Sequence, residues 1–168
     1  MAFLLLLICL HDTFILFRST SWVGEAQMVD VGIHRKGEVD IEKLVKKILI
    51  KKGKAVGAIG SFIGVVRGVS KKGEKVKFLN YEHSDEAVKK LKKIARDIEK
   101  EPGIWQVLIH HVVGKLKPGD IAIYVFVSGE RRHDVFSALP KIMHRIKKEV
   151  QIWKKEVTES GEYWVRGA

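Results

Sequence analysis

The chain has 168 residues, 46% of them hydrophobic and 30% charged, with a formal net charge of +11. That length supports one domain with a core of its own, and that composition excludes an intrinsically disordered chain. The positive excess points to an anionic partner: nucleic acid, a phosphorylated metabolite or an acidic protein. Asn occurs once, at Asn80, and Gln three times, whereas Lys is abundant. This is the thermophile bias toward charged side chains and away from labile amides. The only cysteine, Cys9, excludes a disulfide framework, a thiolate zinc site and a cysteine nucleophile in the body of the chain. It fits a reducing, cytoplasmic setting.

Residues 1–27 differ from the rest. Phe3 to Leu10 is apolar, His11 and Asp12 interrupt, and Thr13 to Phe17 resumes. A signal peptide wants a basic start and a small-residue cleavage site, and a membrane span wants about 20 apolar residues. Neither pattern is met. We expect residues 1–27 to be an extension from an over-long start site, and the domain to occupy residues 28–168.

Asp40 is placed to cap a helix through Lys52, with Ile41, Leu44, Val45 and Ile48 at helical spacing. Ala55 to Val66 reads as a buried strand whose glycines admit a second backbone. Arg67 follows it, then a turn at Ser70–Glu74, then a strand from Val76 to Glu82. Ser84 is the expected cap of a helix to Lys100, which Pro102-Gly103 stops. Trp105 to Val113 and Ile121 to Ser128 read as strands joined by Gly114–Asp120. The last helix runs from about Arg132 to Glu149, with Val135, Phe136, Leu139, Ile142, Met143, Ile146 and Val150 as one stripe. Pro140 inside it predicts a kink or a break. A short apolar strand follows the helix. Without a strict strand–helix–strand rhythm, the fold class is α+β, a single domain with a mostly antiparallel sheet and flanking helices.

Helical spacing sorts the basic residues of the last helix. Lys141, His144, Arg145 and Lys148 point away from the apolar stripe, as solvated charges do. Arg132 falls within the stripe and Lys147 on its flank, where a cation needs an anionic partner or a snorkelling stem. Lys147 ends the helix, and Lys154 follows Trp153 seven residues later. Two ammonium groups brought together beside buried aromatic surface favour the neutral amine, the form that acts as a base or nucleophile. Glu82-His83 and His110-His111 sit near strand ends, and His133 near the helix start. The histidines lack zinc-ligand spacing, and no P-loop, dinucleotide fingerprint or nucleophile elbow occurs. No metal is expected.

Five segments in order resemble the large, catalytic subunit of molybdopterin synthase. They are Gly60–Arg67, Leu79–His83, His111–Gly114 with Pro118-Gly119-Asp120, Arg131–Phe136 and Lys147–Glu156. The resemblance implies an alpha/beta-hammerhead-like arrangement and a reaction: cyclic pyranopterin monophosphate gains two sulfurs and becomes molybdopterin. It implies that sulfur arrives as a thiocarboxylate on the C-terminal Gly-Gly of a small ubiquitin-like subunit, with no cofactor of the chain's own. It implies a homodimer of this chain with one small subunit at each end. On these residues, Lys147 and Lys154 match the active-site lysines. Arg67, Arg131 and Arg132 match the basic part of the substrate pocket, some of it from the dimer mate, and His111 a histidine beside it. The family commonly has His-Arg where this chain has Arg131-Arg132, and Arg where it has Val112. His133 is the nearby imidazole that could compensate. A small basic nucleic-acid-binding domain is the alternative that charge alone favours, but Trp105, Trp153 and Trp164 lie in apolar sequence rather than interleaved with lysines. A protein that merely docks a ubiquitin-like partner is a third reading.

Overall fold

Asp40 starts the first helix as its chemistry predicts: its Oδ1 accepts the backbone N–H groups of Glu42 and Lys43 at 3.0 and 3.1 Å. The structure is a computed structural model that describes residues 29–52 and 55–165. The expectation for residues 1–27 lies outside the described residues. Among those described, the chain order is β1 (Asp30–His34), α1 (Ile41–Lys52), β2 (Ala58–Val65), β3 (Val76–His83), α2 (Ala87–Glu99), β4 (Ile104–Val112), β5 (Gly114–Leu116), β6 (Ile121–Gly129), α3 (Arg132–Glu149), β7 (Ile152–Thr158) and β8 (Glu162–Trp164).

The strands form two four-stranded sheets, ordered β1-β4-β6-β2 and β5-β3-β7-β8. Only β1 with β4 is parallel; all other pairs are antiparallel. The α+β expectation therefore holds, with two sheets where one was read. Val113 and Gly114 carry the chain from the first sheet into the second, and Gly114 makes the bend at φ 87°, which other residues rarely adopt. Residues 114–120 are thus more than a connection, because β5 pairs with β3. β1, β5 and β8 are too short to carry a periodic signal.

Two apolar clusters fill the interior. One packs α2 and α3 on the first sheet through Leu91, Ile94, Val107, Val125, Val135 and Ile142. The other joins α1, through Leu44 and Ile48, to Leu79, Leu108, Leu116 and Phe126. Each fully buried aliphatic side chain contributes about 1.5–3 kcal/mol.

Several expectations are corrected. β2 is an edge strand, not a buried one: Ile59, Phe62, Ile63 and Val65 are 37%, 41%, 36% and 53% exposed. Its glycines do serve close approach. A Cβ at Gly57, just before the strand, would strike the Glu130 carbonyl oxygen, and one at Gly60 would strike Val135 and Leu139 of α3. Ser84 does not cap α2. The helix begins at Ala87 without a side-chain cap, while the Ser84 carbonyl accepts the Ala87 N–H.

α3 is not broken at Pro140. Proline leaves the Phe136 carbonyl without a helical donor, and both residues lie on the exposed side, where water can serve it. Phe136 itself is 64% exposed, and Ala138 takes its place in the stripe. Arg145 is no solvated charge. Its guanidinium bonds Glu149 at 2.7 and 3.0 Å and Asp97 of α2 at 3.0 Å, tying the two helices together. Trp153 and Trp164 are each half exposed rather than held in apolar surroundings.

Candidate active site

Lys154 lies on β7 directly opposite Tyr81 of β3. On the same ladder Leu79 is buried and Ile152 packs on the core. Side chains two residues apart share a face of a sheet, so Lys154 and Tyr81 point inward with them. Trp153 points the other way, and the aromatic ring beside the amine is Tyr81. Burial is the first cause that holds the Lys154 ammonium below the usual lysine range. Glu156 opposes it, and the charges of Arg67, Lys71 and Lys147 add to it. Glu156 is itself engaged, accepting the Tyr163 hydroxyl. Three cations, Arg67, Lys71 and Lys147, therefore act on one half-buried amine.

Local structure explains how they meet. Arg67 follows Val66, whose N–H donates to the Asp120 carbonyl at 2.9 Å and whose carbonyl accepts the Gly119 N–H at 2.9 Å. Lys117-Pro118-Gly119-Asp120 is a tight turn, closed by Asp120 N–H to the Lys117 carbonyl at 3.0 Å, with Gly119 at φ 90°. The Pro-Gly-Asp motif thus positions the arginine. Lys147 occupies the last turn of α3. Val150 ends that helix with its N–H on the Ile146 carbonyl, and the Gln151 carbonyl takes the Ser84 N–H. The chain then enters β7 two residues before Lys154.

His111 is buried at the end of β4, its ring edge-on to Tyr81 with centroids 5.3 Å apart. Its Nδ1 lies 2.9 Å from the Val112 carbonyl oxygen. A carbonyl cannot donate, so Nδ1 carries the proton and Nε2 is the free acceptor of the neutral ring. Burial lowers its pKa to about 4. The Val112 hydrogen bond opposes this, and His83 and Lys154 reinforce it. His110, also buried, falls to about 4 mainly by burial; Asp30 opposes, and His34 and Lys47 add. His110 Nδ1 meets His34 Nε2 at 2.9 Å.

These two rings predict a pH dependence of folding. In the unfolded chain they bind protons below about pH 6.5, but in the fold only below about 4. Stability is therefore full above pH 6.5, falls as pH drops toward 4, and loses on the order of 3 kcal/mol per ring. Urea midpoints at pH 7.5 and 4.5 measure this. Equal midpoints at the two pH values contradict it.

The structure brings together four of the residues named from sequence: Arg67, His111, Lys147 and Lys154. It does not bring Arg131 and Arg132 to them within one chain. Both are exposed at the start of α3, fifteen and sixteen residues before Lys147, which puts Arg132 about 22 Å from it along the helix axis. Arg132 is not on the core-facing line, because α3 turns Val135 and Ala138 inward instead. Arg131 makes only a 3.6 Å surface pair with Glu130. Reading from sequence missed Lys71 and Tyr81. The signal for Tyr81 was its place two residues before His83 on a strand; Lys71 had none beyond its nearness to Arg67. Among the described residues no group of His, Cys, Asp and Glu is arranged to hold a metal ion, and no helix is long and apolar enough to cross a membrane.

The model of the MoaE protein family matches residues 32–149. The chain belongs to that family. The matched span holds Arg67, His111, Arg131, Arg132 and Lys147, and Lys154 lies just beyond its end. The molybdopterin synthase catalytic subunit of Pyrococcus abyssi is 37% identical over 121 residues, 71% of this chain and 81% of that one. That of Halalkalibacterium halodurans is 41% identical over 110 residues, 65% and 70% of the two chains. The crystal structure of molybdopterin synthase from Staphylococcus aureus superposes with a TM-score of 0.70 at 34% identity, covering 82% of this chain and 96% of that one. As a MoaE protein the chain is an enzyme subunit of molybdenum cofactor biosynthesis, of the molybdopterin synthase catalytic type.

Proposed function

We propose that this chain adds sulfur to cyclic pyranopterin monophosphate in the cytoplasm, using the C-terminal thiocarboxylate of a small ubiquitin-like partner and no cofactor of its own. The observation that carries the reading is the half-buried Lys154 amine, on which the charges of Arg67, Lys71 and Lys147 all act. The thiocarboxylate sulfur attacks a side-chain carbon of the pterin. The carbon–oxygen bond to the cyclic phosphate breaks, and its electron pair leaves on the phosphate oxygen. Water then cleaves the acyl–sulfur bond, freeing the tail as a carboxylate. Arg67 grips the phosphate with a forked contact. Lys154, whose neutral form is favoured by its setting, moves protons. Lys147, exposed at the helix end, is the fixed counter-charge. His111, neutral at working pH, offers Nε2 as an acceptor beside them.

The same reading assigns Arg131 and Arg132 to the site of a dimer mate. β2 is eight residues of edge strand, Ala-Ile-Gly-Ser-Phe-Ile-Gly-Val, with no charge and no proline to block pairing. Phe136 adds apolar surface on α3, which packs against β2. Ala58 pairs with Gly129, just before Glu130-Arg131-Arg132, while Arg67 follows the other end. A two-fold, antiparallel contact across β2 carries each protomer's arginine pair toward its partner's Arg67 and Lys154. With one small subunit at each end, the assembly is a heterotetramer.

Single-turnover reconstitution tests the reaction. The chain, a thiocarboxylated small subunit and cyclic pyranopterin monophosphate should yield molybdopterin, with two partner tails desulfurated per product. A stable complex that forms no product contradicts it.

A further inference from the structure

We propose that Lys71 is a further substrate-contacting residue, which meets the phosphate as its ring opens. The inference rests on the sulfur-transfer reading above. The turn that bears Lys71 is built, not loose. Ser70, 7% exposed, accepts the Lys72 and Glu74 N–H groups on its Oγ at 3.1 Å each, and its own N–H donates to the Glu74 carbonyl at 2.9 Å. Gly73 turns at φ 83°, and Val69 bridges to Lys75.

The three lysines of this segment divide cleanly. Lys72 stacks over the Tyr163 ring at 4.6 Å, and Lys75 pairs with Glu159 at 3.5 Å. Among the described residues Lys71 alone of the three has no such partner, and its charge acts on Lys154 together with those of Arg67 and Lys147. The turn thus holds one exposed, unneutralised ammonium four residues past Arg67, near enough for its charge to act on Lys154 with those of Arg67 and Lys147. Such crowding is unfavourable in the free protein and is relieved by an anion.

The chemistry says when that anion needs it. A cyclic phosphodiester carries one negative charge. When the carbon–oxygen bond breaks and the electron pair stays on oxygen, the product is a phosphate monoester with about −1.5 to −2 charge near neutral pH. Arg67 suits the cyclic ester, whose two free oxygens match a fork. The newly freed oxygen needs a further cation, and a compact ammonium on a flexible stem can follow it. Lys71 therefore acts more on the rate of ring opening than on substrate affinity.

The test is single-turnover product formation together with direct fluorescence titration of cyclic pyranopterin monophosphate, using full-length chain and thiocarboxylated partner. For Lys71→Ala the rate should fall about ten- to a hundredfold, as loss of a charged hydrogen bond does, while pterin affinity changes only a few-fold. Lys71→Arg should restore most of the rate, and Lys72→Ala should stay within about twofold of wild type. A Lys71→Ala rate near wild type, or an equal loss in Lys72→Ala, overturns the assignment of Lys71. A wild-type chain that binds pterin but makes no product overturns the sulfur-transfer reading itself, and this inference with it.

Discussion

Lys154→Ala should lower single-turnover molybdopterin formation by about 10²–10³-fold while partner binding stays intact. Lys147→Ala should fall in the same range. The two lysines separate under conservative change. Lys154→Arg should remain inactive, because a guanidinium stays protonated and cannot exchange protons at working pH. Lys147→Arg should keep a substantial part of the rate, since a fixed positive charge is all that position supplies. Lys148→Ala is the control, one residue along the same helix and exposed. The wild-type rate should rise with pH as the Lys154 amine loses its proton. Because burial and neighbouring cations lower its pKa, that rise falls below the usual lysine range near 10.4. A pH profile identical in wild type and Lys154→Arg contradicts the proton-transfer role.

Val65→Asp, at the most exposed apolar position of β2, should convert the chain to a monomer and lower turnover by at least about a hundredfold. A carboxylate there costs little in a free edge strand open to water, so the circular dichroism spectrum should not change. Buried against a partner strand it costs several kcal/mol. Analytical ultracentrifugation reads the first effect and single-turnover kinetics the second. A monomeric variant with full activity would show that one chain holds a complete site, and Arg131 and Arg132 would then have no part in it.

Periodicity in the sequence revealed α1, the inward face of α2 and the central strands, because long amphipathic or apolar runs leave one packing solution. It misjudged β2 for a related reason. An apolar, glycine-rich strand reads the same whether its own chain covers it or another chain does. Phe136 was misplaced because a stripe seven residues wide allows a small rotation about the helix axis, and Gly60 opposite Val135 and Leu139 fixes that rotation in three dimensions. Arg145 looked solvated because its partner Asp97 lies 48 residues away on another helix. At the site, Lys147 and Lys154 were legible from the abrupt helix-to-strand junction between them. The inward direction of Lys154 depended on its register with Tyr81, and no local pattern encodes that. The separation of Arg132 from Lys147 follows directly from helix rise, and it parts two residues that the sequence groups in one site.

If the cationic pocket is composed across two protomers, mixing two inactive chains should restore it. Arg132→Ala and Lys154→Ala chains, each inactive alone, are combined, dissociated in mild denaturant, refolded together and assayed with thiocarboxylated partner. Half of the resulting dimers carry one chain of each kind, and each of those has one intact site. About a quarter of wild-type activity should return. No recovery, with mixed dimers confirmed by mass, would contradict it.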